Sequence, residues 1–404
     1  MTALYLWDDE RARRFAPFAL TRPAGELRLG ALLLRERWER AAGMAAAGFV
    51  SAAHLADFEE AGAPGAADRE LPAGALVVNA RCAPALDARL VGERRTWRCE
   101  GRVAAVRLPR PVSPSALLES GAELCAVAGL PSDEPGTALR GRWVDAVWDL
   151  VRLLPTQLTE DIHTLGAAAD GATPAGLTVM GDAPVFVERG ARVEPHTLAD
   201  TGAGPVLIRR GATVRAFTRL EGPVLVGEDS VVESGRVAAT VIGPGCRVHG
   251  EVSTTVFLGH ANKAHEGFLG HSVVGRWVNL GAGTTTSNLK NTYGPVALWT
   301  PDGYADTGMQ FLGTFFGDHA KTGIGVCLNT GTVMGTGANV YGRALPPRCV
   351  PSFAWGQEEP YATYDLPRFL QAAERMMARR QVTLGERERR QLAAAHARAA
   401  GWPP

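Results

Sequence analysis

Lysine is almost missing from this chain. Of 42 basic residues only Lys263, Lys290 and Lys321 are lysine, and every other one is arginine. Where a chain that otherwise uses arginine keeps an ammonium, a compact point charge is wanted rather than a guanidinium fork. Paired cysteines are missing too. Cys82, Cys99, Cys125, Cys246, Cys327 and Cys349 form no CxxC motif, which argues against a zinc site or a disulfide scaffold and for reduced thiols in the cytoplasm. No apolar run approaches the ~18 residues of a membrane span. The opening MTALYLWDDERARR places charges where a signal peptide needs an apolar core. Acidic and basic residues balance at 42 each, without a basic run or a basic-aromatic stripe. Neither a nucleic acid nor a membrane is therefore expected as a partner.

What remains is a chain of 404 residues, 46% of them hydrophobic, long enough for two domains. Residues 1–165 read as an α/β unit. Strands are expected at 3–7 and 76–79, and helices at 30–40 and 143–154, where leucines and tryptophans recur at helical spacing. In sheets of this kind ligands bind beyond the carboxyl ends of the strands, which draws attention to Asp8, Asp9, Asn79 and the arginines after the first strand. Residues 166–176 read as the linker proper, inside a connector-like stretch that begins at Pro155.

From 177 to 345 apolar residues fall at six-residue steps: Val187 and Val193, Ile208 and Val214, Val226 and Val232, Ile242 and Val248. Ile208 to Val226 is 18 residues, or three hexads. That pattern predicts a parallel β-helix with three flat faces and one apolar residue per hexad pointing inward. Residues 285–322 interrupt it as a long excursion of the kind that is usually functional or disordered. Residues 346–404 end in two amphipathic helical patterns, 366–380 and 384–400, expected to cap the last coil's edge.

The chemistry concentrates in FLGHANKAHEGFLGHSVVGRWVNLGAGTTTSNLKNTY, residues 257–293. It holds His260, His265, His271, Lys263, Asn279, Asn288 and Lys290. This stretch resembles the acetyltransferase half of the bifunctional bacterial family that makes UDP-N-acetylglucosamine (GlmU-like diphosphorylase/glucosamine-1-phosphate N-acetyltransferases). The opening WDDERARRFAPFALTRPAGELRLGALLLRERWE resembles that family's divergent sugar nucleotidyltransferase branch. The resemblance implies a left-handed β-helix, a homotrimer with sites between subunits, and acetyl-CoA as the acyl donor. It puts His265 at the catalytic base, Phe268 where a tyrosine meets the sugar phosphate, and Asn279 and Asn288 on substrate-contacting asparagines. Lys263 lies one position from the family's lysine, and Lys290 has no secure counterpart.

In the first domain the resemblance implies a nucleotide site. No glycine-rich loop or lysine follows the first strand, so Thr21, Arg22 and Arg28 are left for phosphate contacts. Asp8 or Asp9 is left for Mg²⁺, because residues 79–81 offer no carboxylate. Acetyl transfer needs a proton acceptor, stabilisation of the thioester oxygen and a held acceptor. His265 suits the first task, with Glu266 beside it binding substrate. Main-chain N–H groups at Gly281 and Gly283 suit the second, and Lys263, Lys290 and Lys321 would meet the phosphates of the sugar or of coenzyme A. Three readings stay open: acyl transfer to an amino-sugar phosphate, nucleotidyl transfer with the β-helix as scaffold, or binding of a sugar nucleotide without turnover. His260 and His271 read as ladder residues, and Asn279 and Asn288 equally as ladders or turns.

Overall fold

In the computed structural model, which describes residues 3–92, 94–119 and 123–399, the chain divides into two units. One runs through Val147 and regains Leu384–Arg398; the other is Trp148–Thr383.

The first unit is built on Leu4–Trp7, which lies parallel between Ala46–Val50 and Leu76–Asn79. Arg102–Arg107 and Thr96–Cys99 extend the sheet in antiparallel fashion. The inner strands read as continuous apolar runs because both of their faces are covered. The helix Leu34–Ala42 buries Trp38 against one face, and the indole N–H donates to the Asn79 carbonyl at 3.2 Å. Leu117, Leu124 and Cys125 pack with Trp7, Val77 and Val106 on the other. Glu36 accepts from the Leu33 N–H at 2.8 Å to close the helix's first turn.

The second unit opens with the short helix Asp149–Arg152, followed by a helix at Leu154–Gly166, where the sequence suggested a connector. Pro155 sits at its start. In the first turn its missing N–H removes no hydrogen bond, and Leu154, Leu158 and Ile162 then bury one stripe. A parallel β-solenoid of about ten turns follows, over residues 177–356. Its three faces each carry an inward stack in register. Val187, Ile208, Val226, Ile242, Phe257, Val274, Phe316, Met334 and Val350 form the first. Val193, Val214, Val232, Val248 and Lys263 form the second. Ala199, Leu220, Val237, Val252 and Leu269 form the third. Nearly all of these side chains are fully buried, each worth about 1.5–3 kcal/mol.

Coil length departs from three hexads in several turns, from Val187 to Ile208 (21 residues) onward. Along the first stack Val226 to Ile242 is 16 residues and Ile242 to Phe257 is 15. Val274 to Phe316 is 42, and this long coil carries the hairpin Ala297–Thr300/Gly303–Asp306.

The two C-terminal helices part company. Leu366–Ala378 stays with the solenoid, setting Phe369 at 5.0 Å from Phe353 and 5.7 Å from His319, ring to ring. Glu386–Ala399 does not cap the coils, as the sequence had suggested, but belongs to the first unit. Its Arg390 forks onto Asp57 at 2.8 and 3.1 Å, Gln391 donates to the Thr21 carbonyl at 3.0 Å, and Leu392 and Ala395 are buried. Its apolar stripe is narrow, so arginine pairing to the acidic 57–60 stretch helps decide where it docks.

Candidate functional site

The site grows from one corner of the solenoid. Glu233 and Ser234 lie between Val232 and Gly235, whereas only His249 lies between their partners Val248 and Gly250. One coil on, four residues (264–267) separate Lys263 from Phe268, against two between Val248 and Glu251. The extra residues must loop outward, and they carry His265 and Glu266 into solvent. Gly267 makes the return possible: its φ is +130°, and a Cβ there would sit 2.0 Å from the Thr284 carbonyl oxygen.

His265 lies outside the prism, exposed, and among the described residues its ring makes no hydrogen bond. The other imidazoles of this region are committed. His249, one coil back, bonds the Glu266 carboxylate through Nε2 at 2.8 Å. His260 stacks on Trp277 at 4.4 Å. His271 stacks on Phe311 at 5.3 Å and accepts from the Asn288 amide through Nδ1 at 2.8 Å. Burial pushes His271 down to about 4, so it stays neutral.

Lys263 does not face outward with His265. It continues the second apolar stack, is 2% exposed, and turns its ammonium to the main-chain carbonyls of His249 and His265 at 2.8 and 2.6 Å. Burial pushes it down to about 8, against a weaker opposing pull from Glu266. The lysine thus braces from within the corner that carries both imidazoles.

Arg247, Asn262, Asn279, Lys321, Asn339 and Trp355 stand in register on the outside of the same face. Asn262 donates to the Asn279 side-chain oxygen at 3.0 Å, so Asn279 is a ladder residue beside Lys321. Lys321 donates to the His319 carbonyl at 3.0 Å, and burial pushes it down to about 8. Phe268 and Asn288 are brought together over Gly270, where a Cβ would lie 2.4 Å from the ring and 2.7 Å from the amide. Lys290 reaches the Pro295 carbonyl within the excursion. The N–H groups of Gly281 and Gly283 are taken by Thr322 and by the Glu266 carbonyl at 3.1 and 2.9 Å, so neither points at a substrate.

In the first unit the residues assigned to a nucleotide are engaged internally. Thr21 and Arg22 are buried, with Arg22 on Glu60 at 2.8 Å, and Arg28 donates to the Ala31 carbonyl. Beyond the strand ends, Asp8 accepts from Ser51 at 2.7 Å and from the Ala24 N–H, and burial pushes it up to about 7. Burial works against ionised Asp9 as well, but Arg81 and Asn79 outweigh it and hold its carboxyl below the usual range. Asp145 takes Arg11, Arg81 and Arg102. Guanidinium groups thus stand on Asp9 and Asp145, where a cation would need bare carboxylates. These residues do not fit Mg²⁺. Sequence reasoning missed Arg102 and Asp145, which are brought together only by the fold, where Arg102 also lies over Trp143 at 4.2 Å. It missed His249 too, which aligning the hexads one coil before Lys263 would have found.

Residues 4–169 match the family model described as sugar nucleotidyl transferase. The first unit is sugar nucleotidyltransferase-like. The chain is also 31% identical over 120 residues to a bifunctional sugar-1-phosphate nucleotidylyltransferase/acetyltransferase of Sulfurisphaera tokodaii, a match covering 30% of this chain and 28% of that relative. It is 29% identical over 115 residues to the uncharacterized acetyltransferase YaiX of Escherichia coli, covering 28% of this chain and 50% of that one. The chain thus spans half or less of the length of these relatives. No helix among the described residues is long and apolar enough to cross a membrane.

Proposed function

We propose that the solenoid transfers an acyl group, acetyl in the simplest case, from a coenzyme A thioester to the amine of an amino-sugar phosphate, with His265 as the proton acceptor. The observation that carries this reading is the state of the imidazoles. His265 stands exposed on an outward loop with its ring uncommitted, while its neighbours are stacked, buried or hydrogen-bonded. A general base must reach the proton it removes. As the amine attacks the thioester carbonyl, its proton passes to His265 and the thiolate leaves. Lys263 holds the loop by its carbonyls rather than touching a phosphate. Lys321, beside Asn279 on the outer ladder, is the better placed ammonium for an anionic group. Sites shared between subunits of a homotrimer belong to the same proposal.

Free-thiol release from acetyl-CoA with glucosamine 1-phosphate is the assay. His265→Ala is expected to lower turnover by about 10²- to 10⁴-fold, the usual share of a positioned base, and full activity in that variant removes the assignment. The family match over residues 4–169 favours a second reading, nucleotidyl transfer by the first unit. Pyrophosphate release from UTP and a sugar 1-phosphate measures it in parallel.

A further inference from the structure

One cluster on the same corner is not used by that chemistry. The bulge at residues 233–234 turns Ser234 toward the next coil, where its Oγ lies 2.9 Å from Nδ1 of His249. On the ring's far side Nε2 lies 2.8 Å from the Glu266 carboxylate. A carboxylate can only accept, so the Nε2 position carries the proton in the neutral ring. Nδ1 is then left as the acceptor for the Ser234 hydroxyl. Tautomer, orientation and direction of proton flow follow from these two contacts alone.

Three successive coils supply the three groups, and parallel stacking keeps them in line: Ser234 in Val231–Ala238, His249 in Arg247–Ser253, Glu266 in the loop after Asn262–Lys263. The Lys263 ammonium binds the His249 carbonyl at 2.8 Å and so fixes the middle member from below. Ser234 and His249 are half-buried rather than enclosed, and the Glu266 side chain is 80% exposed. The serine's neighbour is Gly235, which pairs with Gly250 across the coils.

We propose that Ser234, His249 and Glu266 form a nucleophilic relay that takes an acyl group from an activated ester or thioester onto Ser234 Oγ. In the step, Oγ bonds to the acyl carbon as the bond to the leaving thiolate or alkoxide breaks. The hydroxyl proton moves to His249 Nδ1 and from there to the leaving group, while Glu266 stabilises the charged ring. Attack by water on the resulting ester then returns Ser234 and releases the acid.

The test is covalent labelling of the full chain with diisopropyl fluorophosphate, followed by peptide mass mapping, with p-nitrophenyl acetate hydrolysis alongside. A stoichiometric adduct at Ser234 is expected. His249→Gln should slow labelling by about 100-fold with an unchanged circular dichroism spectrum. Glu266→Gln, an exposed and structurally mild change, should slow it as well and serves if His249→Gln folds poorly. Absence of an adduct at Ser234 in the folded protein, an adduct elsewhere instead, or equal labelling rates in wild type and both variants overturns the proposal. The reagent needs neither coenzyme A nor an amino sugar, so this outcome is independent of the thiol-release assay.

Discussion

Replacing Lys263 by methionine tests whether a buried ammonium braces the corner. The side chain sits in register with Val193, Val214, Val232 and Val248 and is 2% exposed, so methionine continues an apolar stack without a change of fold. Burial lowers the lysine from its ordinary 10.5 to about 8. A depressed base titrates in a definite sense. Below pH 8 it is charged in both folded and unfolded chains, and the cost of burying the charge is present in full. Between pH 8 and 10.5 the folded chain has lost the proton and the unfolded chain has kept it, so stability rises with pH. A shift of about 2.5 units corresponds to about 3 kcal/mol. Urea unfolding of wild type and Lys263→Met at pH 7.5 and pH 10 gives the measurement. The wild-type stability minus that of the variant should grow by up to about 3 kcal/mol across the interval. Lys321 and the cysteines titrate in both proteins and drop out of the difference. A difference that is flat or falls with pH refutes the buried-charge account.

The same variant separates bracing from substrate contact in the thiol-release assay. Loss of the brace lowers kcat with little change in KM for the amino-sugar phosphate, whereas a phosphate contact would raise KM. Asp8, raised to about 7 by burial, holds its proton longer folded than unfolded, so its contribution to stability falls as pH rises from about 4 to 7. Asp8→Asn should flatten that part of the pH profile, read by urea unfolding. Arg81→Ala leaves the Asp9 carboxylate largely buried without its fork and should cost about 3–5 kcal/mol in chemical denaturation. Leu392→Ala should cost about 2–5 kcal/mol, seen as earlier unfolding of the first unit. Removing Arg390 from its exposed pair with Asp57 should hardly move that transition.

The two architectures were legible because each rests on a local period. Buried strands such as 76–79 read as apolar runs, and the hexad step returns an inward residue at Ile208, Val214 and Val226. The candidate base, His265, came from the resemblance and not from any local period. Its surroundings were not legible. Whether an imidazole is open or occupied depends on which residues of neighbouring coils it meets, and these lie 15 to 17 residues away in sequence, as Ser234, Asn288 and Glu266 do.

From the amino acids alone followed the α/β unit, the stacked prism and the density of polar groups after residue 257, because side-chain periodicity dictates which face of a strand or helix is buried. Tertiary structure decided that Lys263 points inward, that the Gly281 and Gly283 N–H groups are consumed by the ladder, that guanidinium groups neutralise Asp9 and Asp145, and that Glu386–Ala399 returns to the first unit. Each of these turns on pairing between distant segments, where hydrogen-bonding capacity and charge must be satisfied locally once water is gone.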